Sequence, residues 1–176
     1  MKVKPAVPTW MVSEASRIPF EALWNHGYRG ILWDLERTLI PLGCRSMTDY
    51  AVEVVEMAKA AGFVRQTCCT NSTHLYGNDV LRHFGHHLAQ PNPHAGILKK
   101  PDPTIFQDGC SLLELPAEKV VMVGDKLLFD TSPAAALGMG TVLVNPLPGH
   151  DVWAEYIAFR RTREKLALRR LGIRRP

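Results

Sequence analysis

Five short strand-like runs, separated by stretches of helical character, constrain the fold of this chain more than any other feature. The runs are residues 29–33 (RGILW), 63–69 (FVRQTCC), 86–90 (HHLAQ), 119–123 (KVVMV) and 140–144 (GTVLV). KVVMV is too continuously apolar for a half-exposed strand and fits one covered on both faces. Between the runs, residues 48–61 read as a helix. Thr48 can cap it, Asp49 and Glu53 suit its positive end, and Gly62 can stop it. Residues 73–84 predict a short helix, and PNPHAG a turn-rich loop.

Asp102-Pro103 reads as an N-cap followed by proline at the first helical position, opening a helix to about Leu115. Ser132-Pro133 repeats that signal, and Gly138 can close the second helix. From Asp151 onward the chain is helical and increasingly cationic. Strands that alternate with helices predict an α/β fold: a Rossmann-like, doubly wound parallel sheet with a basic helix at the end.

The length of 176 residues suits one domain, 1–176, with a sizeable core. An apolar fraction of 46% with 22% charged residues argues against global disorder. No run of 18 apolar residues offers a membrane span. The N-terminal MKVKPAVPTW lacks the continuous apolar stretch of a secretory signal, which points to the cytosol. Cys44, Cys68, Cys69 and Cys110 show no CxxC spacing and fit reduced thiols better than a disulfide or zinc framework. Cys68 and Cys69 are expected to pack in a strand. His83, His86 and His87 straddle a helix end and a strand start, which argues against one shared metal-binding face. Trp24 and Trp33 are expected in the core.

Charge is unevenly placed. Residues 151–176 carry eight Lys or Arg against three Asp or Glu, whereas the other 150 are nearly neutral. A basic tail on a neutral body is a poor footprint for nucleic acid, and no RNA-reading aromatic motif accompanies it. Val152, Trp153, Tyr156, Ile157 and Phe159 could form an apolar stripe against the sheet. Arg161, Arg163, Lys165, Arg169, Arg170, Arg174 and Arg175 would then project. Such cations either complement the helix dipole or hold the chain peripherally at the inner face of a membrane, at about 1 kcal/mol per basic residue near anionic lipid.

In parallel α/β sheets the chemistry lies beyond the carboxyl ends of the strands. After the first run comes Asp34-Leu35-Glu36-Arg37-Thr38; after the second, Thr70-Asn71-Ser72; before the Asp102 helix, Lys99-Lys100-Pro101; after KVVMV, Gly124-Asp125, with Asp130 five residues later. Grouped carboxylates suit Mg²⁺, which takes oxygen ligands and keeps several waters. A hydroxyl, backbone amides and a lysine suit phosphate oxygens. A carboxylate can attack phosphorus when a metal offsets the repulsion between anions. The residues by themselves point to Mg²⁺-dependent phosphoryl transfer.

From about Tyr28 to Val144 the chain resembles the haloacid dehalogenase-like phosphatase superfamily, whose motifs are DxDxT, a Ser or Thr after the second strand, a lysine, and GDxxxxD. WDLERTL, LKKP, VVMVGDKLLFDTSPAAALGMGTVLVNPL and the terminal basic helix are similar to the small subfamily IIIA phosphatases of the YqeG type, whose relatives include phosphatidylglycerophosphate phosphatases. The resemblance implies a catalytic core of about 28–146 and a basic helix of about 151–172. It implies Asp34 as nucleophile and Mg²⁺ ligand. Residue 36 would supply a backbone carbonyl to the metal and its carboxylate as general acid and base. Thr70 and the backbone around Asn71 would hold phosphate, and Lys100 would steady nucleophile and phosphate. Asp125 would bind Mg²⁺, and Asp130 would be a further or indirect ligand. Thr38 would support the loop.

One position departs from the pattern: Glu36 stands where the family has Asp. The backbone carbonyl is unaffected, but the carboxylate sits one methylene further out. General acid–base catalysis contributes about 10²–10⁴-fold and depends on reach. The expectation is therefore a slower enzyme, or a catalytically weak relative that still binds Mg²⁺ and phosphate. The eight residues between Leu39 and Thr48, and the 28 between Asn71 and Lys100, leave no room for a cap domain. A capless, open site is expected, which admits the head group of a large or membrane-held substrate. The expected partner is a phosphorylated substrate, with an anionic lipid head group first and nucleotides or nucleic-acid ends as the alternative.

Overall fold

A computed structural model of the chain describes residues 4–71, 83–84, 88–89, 99–148 and 154–176, with side chains of the last segment from 162 onward. The elements in chain order are β1 (Trp10–Val12), α1 (Phe20–Asn25), β2 (Gly30–Trp33), α2 (Asp49–Ala60), β3 (Arg65–Cys69), β4 (Leu88–Ala89), α3 (Pro103–Leu112), β5 (Val120–Gly124), a π-helical turn (Leu127–Thr131), α4 (Ser132–Ala136), β6 (Gly140–Val144) and α5 (Ala154–Arg170). Among the described residues the strands form one parallel six-stranded sheet in the order β1-β6-β5-β2-β3-β4. The doubly wound α/β fold expected from the sequence is the one observed.

Side-chain alternation along the strands builds a core on each face. Ile31, Trp33, Val121, Val123, Val142 and Val144 point to one side, where Leu23 of α1 and Val54, Val55 and Ala58 of α2 cover them. Leu32, Val120 and Met122 point to the other, against Ile105, Phe106 and Cys110 of α3 and Ala134 of α4. Leu143 also breaks from the first set and packs with Leu127 and with Ala167 and Leu168 of α5. Each fully buried aliphatic side chain contributes about 1.5–3 kcal/mol. Trp33 is wholly buried, and its indole N–H donates to Gln66 Oε1 at 2.7 Å. Trp24 lies edge-on to Phe63, with the Arg29 guanidinium 4.1 Å over its ring.

Several helix signals act as expected. Thr48 accepts a hydrogen bond from the Ala51 amide, and Gly62 follows α2 at φ 108°. Asp102 accepts from the Thr104 amide with Pro103 at the first helical position. α3 stops at Leu112, three residues early, and Glu114 turns the chain at φ 53°. Ser132 is not an N-cap. Thr131 before it is already helical, because the π-helical turn leads straight into α4. The Ser132 hydroxyl instead accepts from the Ala6 amide.

β1 and α1 precede everything the sequence pattern marked. β1 is three half-buried residues on a sheet edge, too short for a periodic signal. It is tied to the sheet by Thr9 and Thr141, whose hydroxyls each accept the other's backbone amide, at 2.9 and 3.1 Å. Residues 73–82 of the expected helix, His86 and His87, the PNPHAG loop and the stripe from Val152 to Phe159 lie outside the described side chains; of the expected helix, His83 is helical and Phe84 is buried in the core. Among the described residues no helix is long and apolar enough to cross a membrane.

Candidate active site

Strand register brings the sequence-marked residues to one rim. Trp33 stands opposite Val123 on one side and Cys68 on the other. Asp34, Gly124-Asp125 and Thr70 therefore leave the sheet side by side, and the Asp34 amide donates to the Val123 carbonyl at 2.9 Å. Asp34, Asp125 and Asp130 are buried, and one carboxylate oxygen from each lies within 4.8 Å of the others. Gly124 lets them converge. A Cβ added there would sit 2.5 Å from the Cβ, Cγ and Oδ2 of Asp130.

Lys100 bridges two of the three. Its Nζ donates to Asp34 Oδ1 and to Asp130 Oδ1, each at 2.6 Å, and its side chain is 2% exposed. Burial opposes its charge, but Asp130 and Asp34 outweigh burial, so its pKa lies above the ordinary lysine value. Burial likewise pushes the Asp130 carboxyl up to about 6, against the pull of Lys100. Asp130 Oδ2 accepts from the Lys126 amide at 2.9 Å. The Lys126 ammonium donates to Asp125 Oδ1 at 2.8 Å, and Arg37 Nε lies 3.7 Å from Asp125 Oδ2. Three carboxylates and three cations thus make a cluster of near-zero net charge. Its donors, all carboxylate oxygens, fit a hard divalent cation.

Other marked residues take distinct places. Thr38 donates from Oγ1 to Asp34 Oδ2 at 3.3 Å. Thr70 is buried and lines the cavity above the carboxylates, as does Glu36. Arg37 holds φ 70°, a region that costs a non-glycine residue about 1–3 kcal/mol. Its amide donates to Ile40 at 2.6 Å and its carbonyl accepts from Leu147 at 2.7 Å. The Asn71 side chain turns toward the chain rather than the cavity centre and bonds both backbone groups of Lys100. Lys99 is exposed and lies outside the lining.

All four cysteines are free thiols. Burial pushes the Cys69 thiol up to about 12 and raises Cys68 as well, so both stay protonated near neutral pH. They pack in β3, as expected.

A family model described as haloacid dehalogenase-like hydrolase matches residues 11–138. The chain belongs to that family. The match begins at β1, earlier than the motifs alone marked. Among curated proteins, this hydrolase is 27% identical over 145 residues to Probable phosphatase YqeG of Bacillus subtilis (strain 168), covering 82% of this chain and 80% of that one. Its fold is similar to the crystal structure of an uncharacterized protein from Listeria monocytogenes serotype 4b. The TM-score is 0.52 at 21% identity, over 70% of this chain and 83% of the other.

The hydrolase has one wall that sequence reasoning missed. Glu164 of α5 accepts from the amides of Leu127 and, at 3.2 Å, Leu128, at the start of the π-helical turn. Arg175 does not project, contrary to expectation. Its guanidinium donates to the Asp125 carbonyl at 2.6 Å and to the Val144 carbonyl at 2.9 Å, and lies 3.7 Å from Glu164 Oε1. Nor is the site simply open. The segment between Leu39 and Thr48 is a short turn, as its length required. The C-terminal segment, however, closes one side of a cavity of about 1220 Å³ that has Asp34 in its lining. A glutamate spaced for amide capping and an arginine at the very end are ordinary surface residues in sequence, so no local signal marked this wall.

Proposed function

We propose that this hydrolase is a Mg²⁺-dependent phosphomonoester phosphatase that works through a phospho-Asp34 intermediate. The observation that carries the reading is the buried Asp34–Asp125–Asp130 cluster with Lys100 lodged between Asp34 and Asp130. A curated relative bearing the name of a probable phosphatase supports the same reaction class.

The side chains of Asp34, Asp125 and Asp130 and the backbone carbonyl of Glu36 would hold the metal. Mg²⁺, when bound there, offsets repulsion between the carboxylate nucleophile and the phosphoryl oxygens and withdraws charge from them. Because the protein's own charges nearly cancel, a bound dication leaves a net charge of about +2, matched to a phosphomonoester dianion.

The chain's residues do the rest. The Thr70 hydroxyl, the backbone at Asn71 and the Lys100 ammonium hold the phosphoryl oxygens. An Asp34 carboxylate oxygen attacks phosphorus, and the bond from phosphorus to the ester oxygen breaks. The Glu36 carboxyl gives its proton to the departing alcohol. A water then attacks phosphorus, Glu36 takes its proton, and the bond from phosphorus to Asp34 breaks, which returns Asp34 as a carboxylate and Glu36 as the protonated acid and releases phosphate.

Phosphatidylglycerophosphate is the leading substrate by resemblance. The test is phosphate release from that lipid in mixed micelles, with and without Mg²⁺, beside an Asp34→Asn control. Release that requires both establishes the reaction. No release there or from soluble phosphomonoesters, with Mg²⁺ still bound, favours a second reading that rests on Glu36: a catalytically weak protein that binds phosphate.

A further inference from the structure

We propose that Lys165, Arg169 and Arg174 form a second anion subsite, which selects phosphomonoesters bearing a further negatively charged group. The inference rests on the phosphatase reading and extends it to substrate class.

The charges around the cavity carry the argument. Seven cations and five carboxylates are in its lining. Lys100 is committed to Asp34 and Asp130, Lys126 and Arg37 to Asp125, and Arg175 to Glu164. Lys165, Arg169 and Arg174 remain, and none has an ion-pair partner among the described residues. All three come from the C-terminal wall. Lys165 and Arg169 are four residues apart on α5 and share a helix face, with Leu168 beside them. Arg163 and Arg170 of the same helix lie outside the lining. All five cations are exposed to solvent, but only Lys165, Arg169 and Arg174 also line the cavity.

The wall is held firmly enough to act as a recognition element. Ala167 and Leu168 are buried against Leu127 and Leu143. Glu164 and Arg175 tie it to the loop that carries Asp125 and Asp130, through Leu127, Leu128 and the Asp125 carbonyl. A cavity of about 1220 Å³ far exceeds one phosphoryl group. The three cations give its outer part an anion preference separate from that of Lys100 and the metal. Leu42 and Ile173 add apolar surface to the same lining.

The second anion could be the phosphodiester of a lipid head group or a phosphate of a soluble molecule. The experiment compares kcat/KM for glycerol 3-phosphate, for soluble glycerophosphoglycerol phosphate, and for the corresponding diacyl lipid in mixed micelles. Proteins are the full chain, the triple variant Lys165→Gln/Arg169→Gln/Arg174→Gln, and the control Arg163→Gln/Arg170→Gln.

The full chain should prefer both two-anion substrates over glycerol 3-phosphate. In the triple variant that preference should fall about tenfold or more, chiefly through KM, while the control keeps it. The preference should also shrink with added salt. Preference for the lipid without preference for its soluble head group would overturn the proposal, as would equal loss in control and triple variants. Should no substrate be turned over, the phosphatase reading fails by itself. Calorimetric binding of the same soluble compounds to Asp34→Asn protein with Mg²⁺ still decides the subsite. Equal affinity for one-anion and two-anion compounds rejects it; tighter two-anion binding that the triple variant loses supports it.

Discussion

The side-chain amide of Asn71 is bonded at both ends to the backbone of Lys100: Nδ2 donates to the Lys100 carbonyl at 2.9 Å, and the Lys100 amide donates to Oδ1 at 2.6 Å. The second residue after β3 thereby fixes where the lysine enters the carboxylate cluster. Asn71 acts as a positioning residue, whatever its backbone does for phosphate.

Asn71→Ala should therefore lower kcat by about 10²-fold, the usual penalty for misplacing a catalytic group by about 1 Å, with a smaller change in KM. Asn71→Asp keeps the acceptor and loses the donor, so it should recover only part of the rate. Steady-state kinetics on any turned-over phosphomonoester reads both. Wild-type kcat in Asn71→Ala would show that Lys100 is held by other contacts.

Lys100→Met strands Asp34 and Asp130 without their shared cation. Removing one partner of a buried ion pair costs about 3–5 kcal/mol. Asp130 already sits at about 6, above its unfolded value, because burial disfavours its charge. Without Lys100 it rises further, so the folded variant binds more protons than the unfolded chain across this range. Its stability must then fall as pH rises through that folded pKa. Urea unfolding of metal-free protein should show the deficit small near pH 5 and large near pH 8, with Mg²⁺ restoring more to the variant than to wild type. A deficit independent of pH would contradict this account.

Gly124→Ala places a methyl group 2.5 Å from Asp130, where backbone and buried carboxylate both resist movement. A cost of about 1–3 kcal/mol is expected from overpacking. Displaced Asp130 should also weaken Mg²⁺ binding, which a metal titration followed by melting temperature would register.

Glu36→Asp shortens the proposed acid and base by one methylene. If reach limits the present enzyme, turnover should rise by about tenfold, within the 10²–10⁴-fold that general acid–base catalysis supplies. Glu36→Gln should lower turnover instead. An unchanged rate in both variants would mean that the Glu36 carboxylate takes no part in proton transfer.

Much of the site was legible in the chain because its residues sit at fixed offsets from strands. Asp34, Thr70 and Asp125 each follow an apolar run, and parallel pairing does the rest: one register step aligns Trp33 with Val123 and Cys68. The Asp102-Pro103 cap was legible for the same local reason. Ser132-Pro133 carries the same dipeptide signal, yet the preceding π-helical turn absorbs it into continuous helix. Strand β1 escaped notice because three half-buried edge residues show no period.

The sequence by itself determined the alternation of strands and helices, the buried faces and the acidic residues at the strand ends. These depend on side-chain patterns within a few residues of each other. Only the tertiary structure decided that Asn71 holds Lys100 across 29 residues, that Glu164 caps the amides of Leu127 and Leu128, and that Arg175 reaches the Asp125 carbonyl across 50. Those contacts join side chains to backbone groups. Every residue carries the same backbone donors and acceptors, so no pattern of residue types marks the partner until the fold brings it near.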